Sequence, residues 1–275
     1  MTVNRLAILS ATLCALLCGA GCQPARAQEA PAKQADLPTV WIAELGAYGV
    51  LEPTWLGSRH YDLGFKPIID IRREGSREWF SSPNDAAAYS LYETNNFRAG
   101  PAANVTLQSR LHGQDIDLRL GQADATLQAG GFAEYYPLDF IRTRAEVLQG
   151  IAGDGGLLVN LSADYIWRLE PNVTLSLGPR AQIVNDQYAS QYFSTQLAIK
   201  NNNNYVPYRA EGGLLTSGAE FTGKYDWTKQ LSTKLFLDYT QLMGDAADSP
   251  RVNLRGSQEQ VIFGVGASYK FSIER

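Results

Sequence analysis

The chain has 275 residues, of which 45% are apolar, 11% aromatic and only 19% charged, a balance that excludes a disordered, charge-rich protein. A formal charge of −4 with no basic block argues against nucleic acid as a partner. Two His and three Cys argue against a zinc or redox enzyme. Mean hydropathy is −0.21, and past residue 30 no apolar run approaches the roughly 20 residues of a membrane-spanning helix.

Residues 1–27 read as a cleaved secretory signal: a positive start at Arg5, an apolar run over 6–17, and Ala25-Arg26-Ala27 as a small-x-small cleavage site. Gly19-Ala20-Gly21-Cys22 resembles a lipoprotein site, but Gly19 stands where a large apolar residue is preferred, so lipidation of Cys22 is the minor alternative. Cys14, Cys18 and Cys22 all precede Ala27, so the exported chain is held together without disulfides. Removing Arg5 and Arg26 leaves 22 basic against 28 acidic residues. Residues 28–39, made of Ala, Pro, Gln and charge, form a flexible lead.

From Val40 onward the hydrophobic period is two. Val261, Phe263, Val265, Ala267, Tyr269 and Phe271 alternate with Gly264, Gly266, Ser268 and Lys270. Leu157 through Leu169 alternate in the same way with Asn160, Ser162, Asp164 and Arg168. Side chains on a strand point alternately to two faces, so one face here is oily and the other small or polar. Twelve strands follow: 40–51, 63–74, 77–82, 86–93, 97–108, 126–137, 139–149, 156–169, 172–186, 208–226, 230–243 and 259–271. The third and fourth are the weakest, because Pro83-Asn84-Asp85 interrupts them.

Short turns such as Glu74-Gly75-Ser76, Glu170-Pro171-Asn172 and Trp227-Thr228-Lys229 alternate with long polar connections at 52–62, 109–125, 187–207 and 244–258. That layout predicts residues 40–275 as an all-β, antiparallel, up-and-down transmembrane barrel of an outer membrane, with periplasmic short turns and long outer loops. An even strand number puts both termini on the short-turn side. A soluble β-sandwich is the competing fold, but strands of 12 to 15 residues are long for one. Trp41, Trp167, Trp227 and Phe271 fall at strand ends on the short-turn side, where an aromatic girdle belongs.

With the oily faces toward lipid, the opposite faces line the lumen. The register turns Lys66, Arg72, Arg98, Arg142, Arg144, Arg168, Arg180, Lys224, Lys234 and Lys270 inward. Glu44, Asp70, Glu134, Glu146, Asp164, Glu220 and Asp238 join them, since a charge facing lipid near the midplane costs about 2–4 kcal/mol. Both signs occur in similar number, which fits either a pairing network filling the lumen or a narrow polar channel.

No catalytic, cofactor or metal residues are expected. His60-Tyr61-Asp62 and His112-Gly113-Gln114 lack the serine two places on that outer-membrane lipases commonly use. Asp62 and Asp115 beside loop histidines make only a thin protease-like pair. Asn201 to Asn204 read as a solvated spacer, and Asp245 with Asp248 as too few ligands for calcium.

Five stretches stand out: Pro53-Thr54-Trp55-Leu56-Gly57-Ser58, Arg77-Glu78-Trp79-Phe80-Ser81-Ser82-Pro83, Phe97-Arg98-Ala99-Gly100-Pro101, Tyr188 through Tyr192-Phe193, and Leu242-Met243-Gly244-Asp245-Ala246-Ala247-Asp248-Ser249-Pro250. Together, in this order and at these spacings, they resemble the MipA/OmpV family (MltA-interacting protein family) of Gram-negative outer-membrane proteins. The resemblance implies a scaffold that docks a lytic transglycosylase and a peptidoglycan synthase at the periplasmic face, besides contacts with lipids and the barrel-assembly machinery. A surface adhesin using the long loops is the family's other association, and a polar solute channel is the alternative from a different class. One departure is that Ser272-Ile273-Glu274-Arg275 follow Phe271, where such barrels usually end on the aromatic residue.

Overall fold

The computed structural model describes residues 40–106, 126–152, 155–200 and 204–274. The expected signal 1–27, the lead 28–39, the loop 109–125 with His112 and Asp115, residues 201–203 of the Asn run, and Arg275 lie outside the described residues. The elements in chain order begin with β1 (Val40–Pro53), β2 (Tyr61–Arg73), β3 (Ala87–Ala88), β4 (Tyr92–Glu93), β5 (Phe97–Thr106), β6 (Thr126–Leu138), β7 (Ile141–Ala152), β8 (Leu157–Glu170) and β9 (Val173–Val184). Helix α1 (Asp186–Phe193) and a separate hairpin, β10 (Thr195–Lys200) with β11 (Asn204–Tyr208), come next. The chain closes with β12 (Gly213–Asp226), β13 (Leu231–Leu242), α2 (Gly244–Asp248), α3 (Pro250–Arg255) and β14 (Glu259–Glu274).

Twelve strands form one antiparallel sheet in the order β2-β1-β14-β13-β12-β9-β8-β7-β6-β5-β3, with β4 also on β5. Every neighbour is the next strand along the chain, once the loop excursions are set aside, and β1 meets β14 in continuous register from Val40↔Glu274 to Leu51↔Phe263. The sheet is therefore an up-and-down barrel wall curled on itself. Alternation sets its two faces. On β13, Leu231, Leu235, Leu237 and Tyr239 are exposed on the outside, whereas Ser232, Phe236 and Asp238 are buried inside. The inner face is not uniformly polar: Phe236 lies over Gly264, where a Cβ would sit 2.2 Å from its ring.

Four elements differ from the sequence expectation. Residues 77–82 form no strand, and 86–93 reduce to β3 and β4, although Tyr89 N–H to Pro101 O (3.0 Å) and Leu91 N–H to Ala99 O (3.0 Å) continue the ladder on β5. The physical reason is polarity: Glu78, Ser82, Asn84 and Asp85 find partners across the lumen that a lipid-facing wall would deny them. β12 begins at Gly213 rather than 208, because Tyr208 ends the β10–β11 hairpin. β14 runs beyond Phe271, with Ser272, Ile273 and Glu274 paired to Ile42, Trp41 and Val40, so these residues extend the wall. The long loops also carry structure, holding α1, the hairpin, α2 and α3.

Candidate functional site: a charged lumen beneath an apolar cap

The lumen network centres on Arg142 of β7, whose side chain is fully buried. Its Nη1 donates to Asp164 Oδ2 of β8 (2.7 Å), and its Nη2 donates to Glu134 Oε2 of β6 (3.0 Å) and to Asp85. Arg144, two residues on and facing the same way, donates to Glu146 (2.7 Å), to Glu134 (3.0 Å) and to the Ala86 carbonyl (3.2 Å). Arg98 of β5 grips Glu134 with two bonds of 2.8 and 3.1 Å. Arg180 of β9 reaches Asp164 (2.5 Å) and Glu220 of β12 (3.0 Å). All four cations here are arginines. The guanidinium fork serves two or three carboxylates at once, and it is more weakly hydrated than an ammonium, so its burial is less costly.

A second cluster lies nearer the short-turn end. Glu78 accepts from Lys224 Nζ (2.8 Å), Lys270 Nζ (3.1 Å) and Arg72 Nη2 (3.0 Å), three cations from three strands. Glu44 accepts from Ser268 (2.6 Å) and from Lys234, and Asp70 lies opposite it in register. Asp238 and Lys66 both bond Asn84, each at 2.8–2.9 Å, and Arg168 sits exposed at the mouth, donating to the Asp139 carbonyl (2.9 Å). Because Glu78 is half-exposed, its replacement by Gln should lower stability by less than about 1 kcal/mol in a urea titration of the folded barrel. A loss several times larger would mean that the cluster is sealed from water.

Residues 74–86 thus cross the lumen and supply partners on both walls. Sequence reasoning did not single out Glu78, Ser82, Asn84 and Asp85. The available signal was their polarity in a stretch read as a wall strand, broken by Pro83.

Above the network, a packed apolar cluster lies at the long-loop end. Trp55 from the β1–β2 connection, Phe193 from α1, Val252 from α3, and Leu215 and Leu242 from β12 and β13 are all buried in it. Arg251 stacks on the Trp55 ring at 4.0 Å and donates to the Tyr192 carbonyl (2.9 Å). Ser249 caps α3 by accepting from Arg251 N–H (3.3 Å) and donates to the Phe193 carbonyl (2.6 Å). Gly57 has φ +103°, and a Cβ there would sit 2.9 Å from Trp55 and 3.0 Å from Val252. His60 is exposed, with its carbonyl accepting from Thr54 N–H (2.9 Å), and Asp245 accepts from Glu211 N–H (2.9 Å). Among the described residues, neither belongs to a group of three or more side chains that could hold a metal ion.

On the outer face at the short-turn end, Trp167 packs on Tyr165 (4.5 Å between rings), Trp227 on Tyr225 (4.6 Å) and Phe271 on Tyr269 (4.8 Å). Trp41 lies beneath Arg73.

No curated protein matches the chain. Solved structures similar to it include the NanC porin (8% identity, 85% of this chain and 100% of that one, TM-score 0.41). An outer membrane channel from Pseudomonas putida F1 (12%, 89% and 100%, TM-score 0.33) and OprD from Pseudomonas aeruginosa (8%, 86% and 94%, TM-score 0.28) are also among them. Likeness at this level adds nothing to the strand ladder already described. A family model does match: the one described as MltA-interacting protein MipA covers residues 45–271, and the chain belongs to that family.

Proposed function

We propose that the protein is a non-enzymatic barrel of the Gram-negative outer membrane, exported by a cleaved signal at 1–27. On this reading it docks peptidoglycan-remodelling enzymes, a lytic transglycosylase with a murein synthase, on its short-turn, periplasmic face. The observation that carries this is the double closure. The arginine network and residues 74–86 occupy the lumen, and the apolar cluster around Trp55 and Phe193 covers its long-loop end. A barrel filled in this way is better suited to present a rigid surface than to pass solute. The family's name adds the class of partner. An adhesin that uses 187–207 as a dispensable loop fits less well, because Ala189 and Phe193 of that stretch are buried in the cap.

The test is a mild crosslinking pull-down of the tagged protein from intact envelopes, with partners identified by mass spectrometry. Enrichment of a lytic transglycosylase or peptidoglycan synthase over an unrelated barrel is expected. Recovery of only the protein itself and assembly factors would contradict the scaffold.

A further inference from the structure

Among the described residues, β2 and β3 stand at the two ends of the sheet with no ladder between them. Exposure shows the same seam independently. Outward apolar residues on strands flanked on both sides, such as Leu177, Leu235, Leu237 and Val265, are 39–47% exposed. On β2, Leu63, Phe65, Ile69 and Ile71 reach 64–85%, and on the facing bank Tyr89 and Leu91 reach 70% and 75%. Hydrocarbon offers no partner to the N–H and C=O groups of an open strand edge, so a wall in lipid does not tolerate one.

Strand direction limits what completes the seam. β2 runs toward the short-turn end, and so do residues 87–93, which lead into the turn before β5. The two banks are parallel, and an antiparallel wall needs one strand between them running the opposite way. A second copy does not supply it, since a two-fold axis along the membrane normal sets two β2 edges parallel.

We propose that residues 74–86 have a second seat, in the wall between β2 and β3, in exchange with the lumen seat described above. The segment is tethered to both banks, and both reversals it needs are already made. Ser76 N–H bonds Arg73 O (3.1 Å) around Gly75 at φ +81°, and Asp85 N–H bonds Ser82 O (3.1 Å). A ladder continued from the first turn sets Phe80 opposite Ile69, facing lipid, and Ser81 opposite Ile68, facing the lumen. A ladder continued from the second turn sets Phe80 opposite Ala87 and Ser81 opposite Ala86, which is buried on the inner face. The two turns lie on opposite banks and assign the same faces. Pro83 ends the strand, so the inserted piece seals the half of the seam from Pro67 to Arg73. Moving there gives up the Glu78 and Asn84 contacts and sets Glu78 opposite Ile71 on the outer face near the short-turn end, against which stands paired backbone on both banks.

Disulfide trapping in the full chain tests this, because no cysteine follows Cys22. Ile69→Cys is combined in turn with Trp79→Cys, Phe80→Cys and Ser81→Cys to report the wall. Asn84→Cys with Asp238→Cys reports the lumen, and Phe221→Cys with Leu237→Cys, opposed in the β12–β13 ladder, is the control. In phospholipid vesicles, a wall disulfide forming at a rate comparable with the control supports the second seat, whether or not the lumen pair also forms. A control that forms while none of the three wall pairs does overturns it. Phe80→Cys alone guards against misfolded double variants: the proposal expects modification by a lipid-soluble maleimide. In a variant whose gel mobility is heat-modifiable like the parent's, failure to modify contradicts it.

Discussion

Replacing Arg142 by methionine is expected to cost about 3–5 kcal/mol of stability, enough to leave most chains unassembled. The guanidinium is fully buried and serves Asp85, Glu134 and Asp164 together. Methionine fills similar volume, so the loss reports charge rather than a cavity. Removing the central cation leaves carboxylates facing one another with only Arg98, Arg144 and Arg180 at the edges of the cluster. Arg142→Lys keeps the charge but not the fork, and should fall between the two. Urea unfolding of the refolded protein, read by heat-modifiable gel mobility, measures both. A methionine variant within about 1 kcal/mol of the parent would show that the carboxylates are hydrated rather than dependent on Arg142.

The second large effect is expected at Trp55. Truncation to alanine removes a ring that is 7% exposed and packed in the cap, a change that typically costs about 3–5 kcal/mol. It also removes the seat of Arg251, whose stacking is worth about 1–2 kcal/mol when desolvated. The consequence should be local before it is global. The wall strands keep their ladders, while α3 and the 243–258 connection lose their anchor and become open to protease. Limited proteolysis of vesicle-assembled protein checks this, with cleavage expected within 243–258 in the variant and not in the parent. Because Arg251 acts through the same ring, Trp55→Ala with Arg251→Ala should cost clearly less than the two single losses added together. Strict additivity would contradict the stacking.

Much of the wall was legible because its strands share one alternation: apolar residues outside, and mostly small or polar ones inside. Ten of the twelve predicted segments appear as long strands, since nothing competes with a lipid-facing alternation such as Val261 to Phe271. The rule fails where side chains have better partners elsewhere. Residues 77–82 alternate well enough to suggest a strand, yet Glu78 meets three cations inside. Periodicity registers the spacing of side chains, not the distant partners that decide between two placements. The loops were illegible for a similar reason. Phe193, Val252 and Trp55 lie far apart in sequence, and only the curled wall brings them together. The stretches that carry the family resemblance converge in these two places. Trp55 to Ser58, Tyr188 to Phe193 and Leu242 to Pro250 build the cap, and Arg77 to Pro83 with Arg98 builds the lumen network. On the proposed reading, what the family pattern marks is closure of the lumen.

Planar-bilayer recording of the refolded, full-length protein tests that closure most directly. A closed barrel predicts no sustained conductance steps at moderate voltage in the parent protein, and their appearance when the cap is opened by Trp55→Ala together with Arg142→Met, in whatever fraction of that variant assembles. Steady ohmic conductance from the parent protein would contradict the closed lumen and favour the alternative of a polar solute channel.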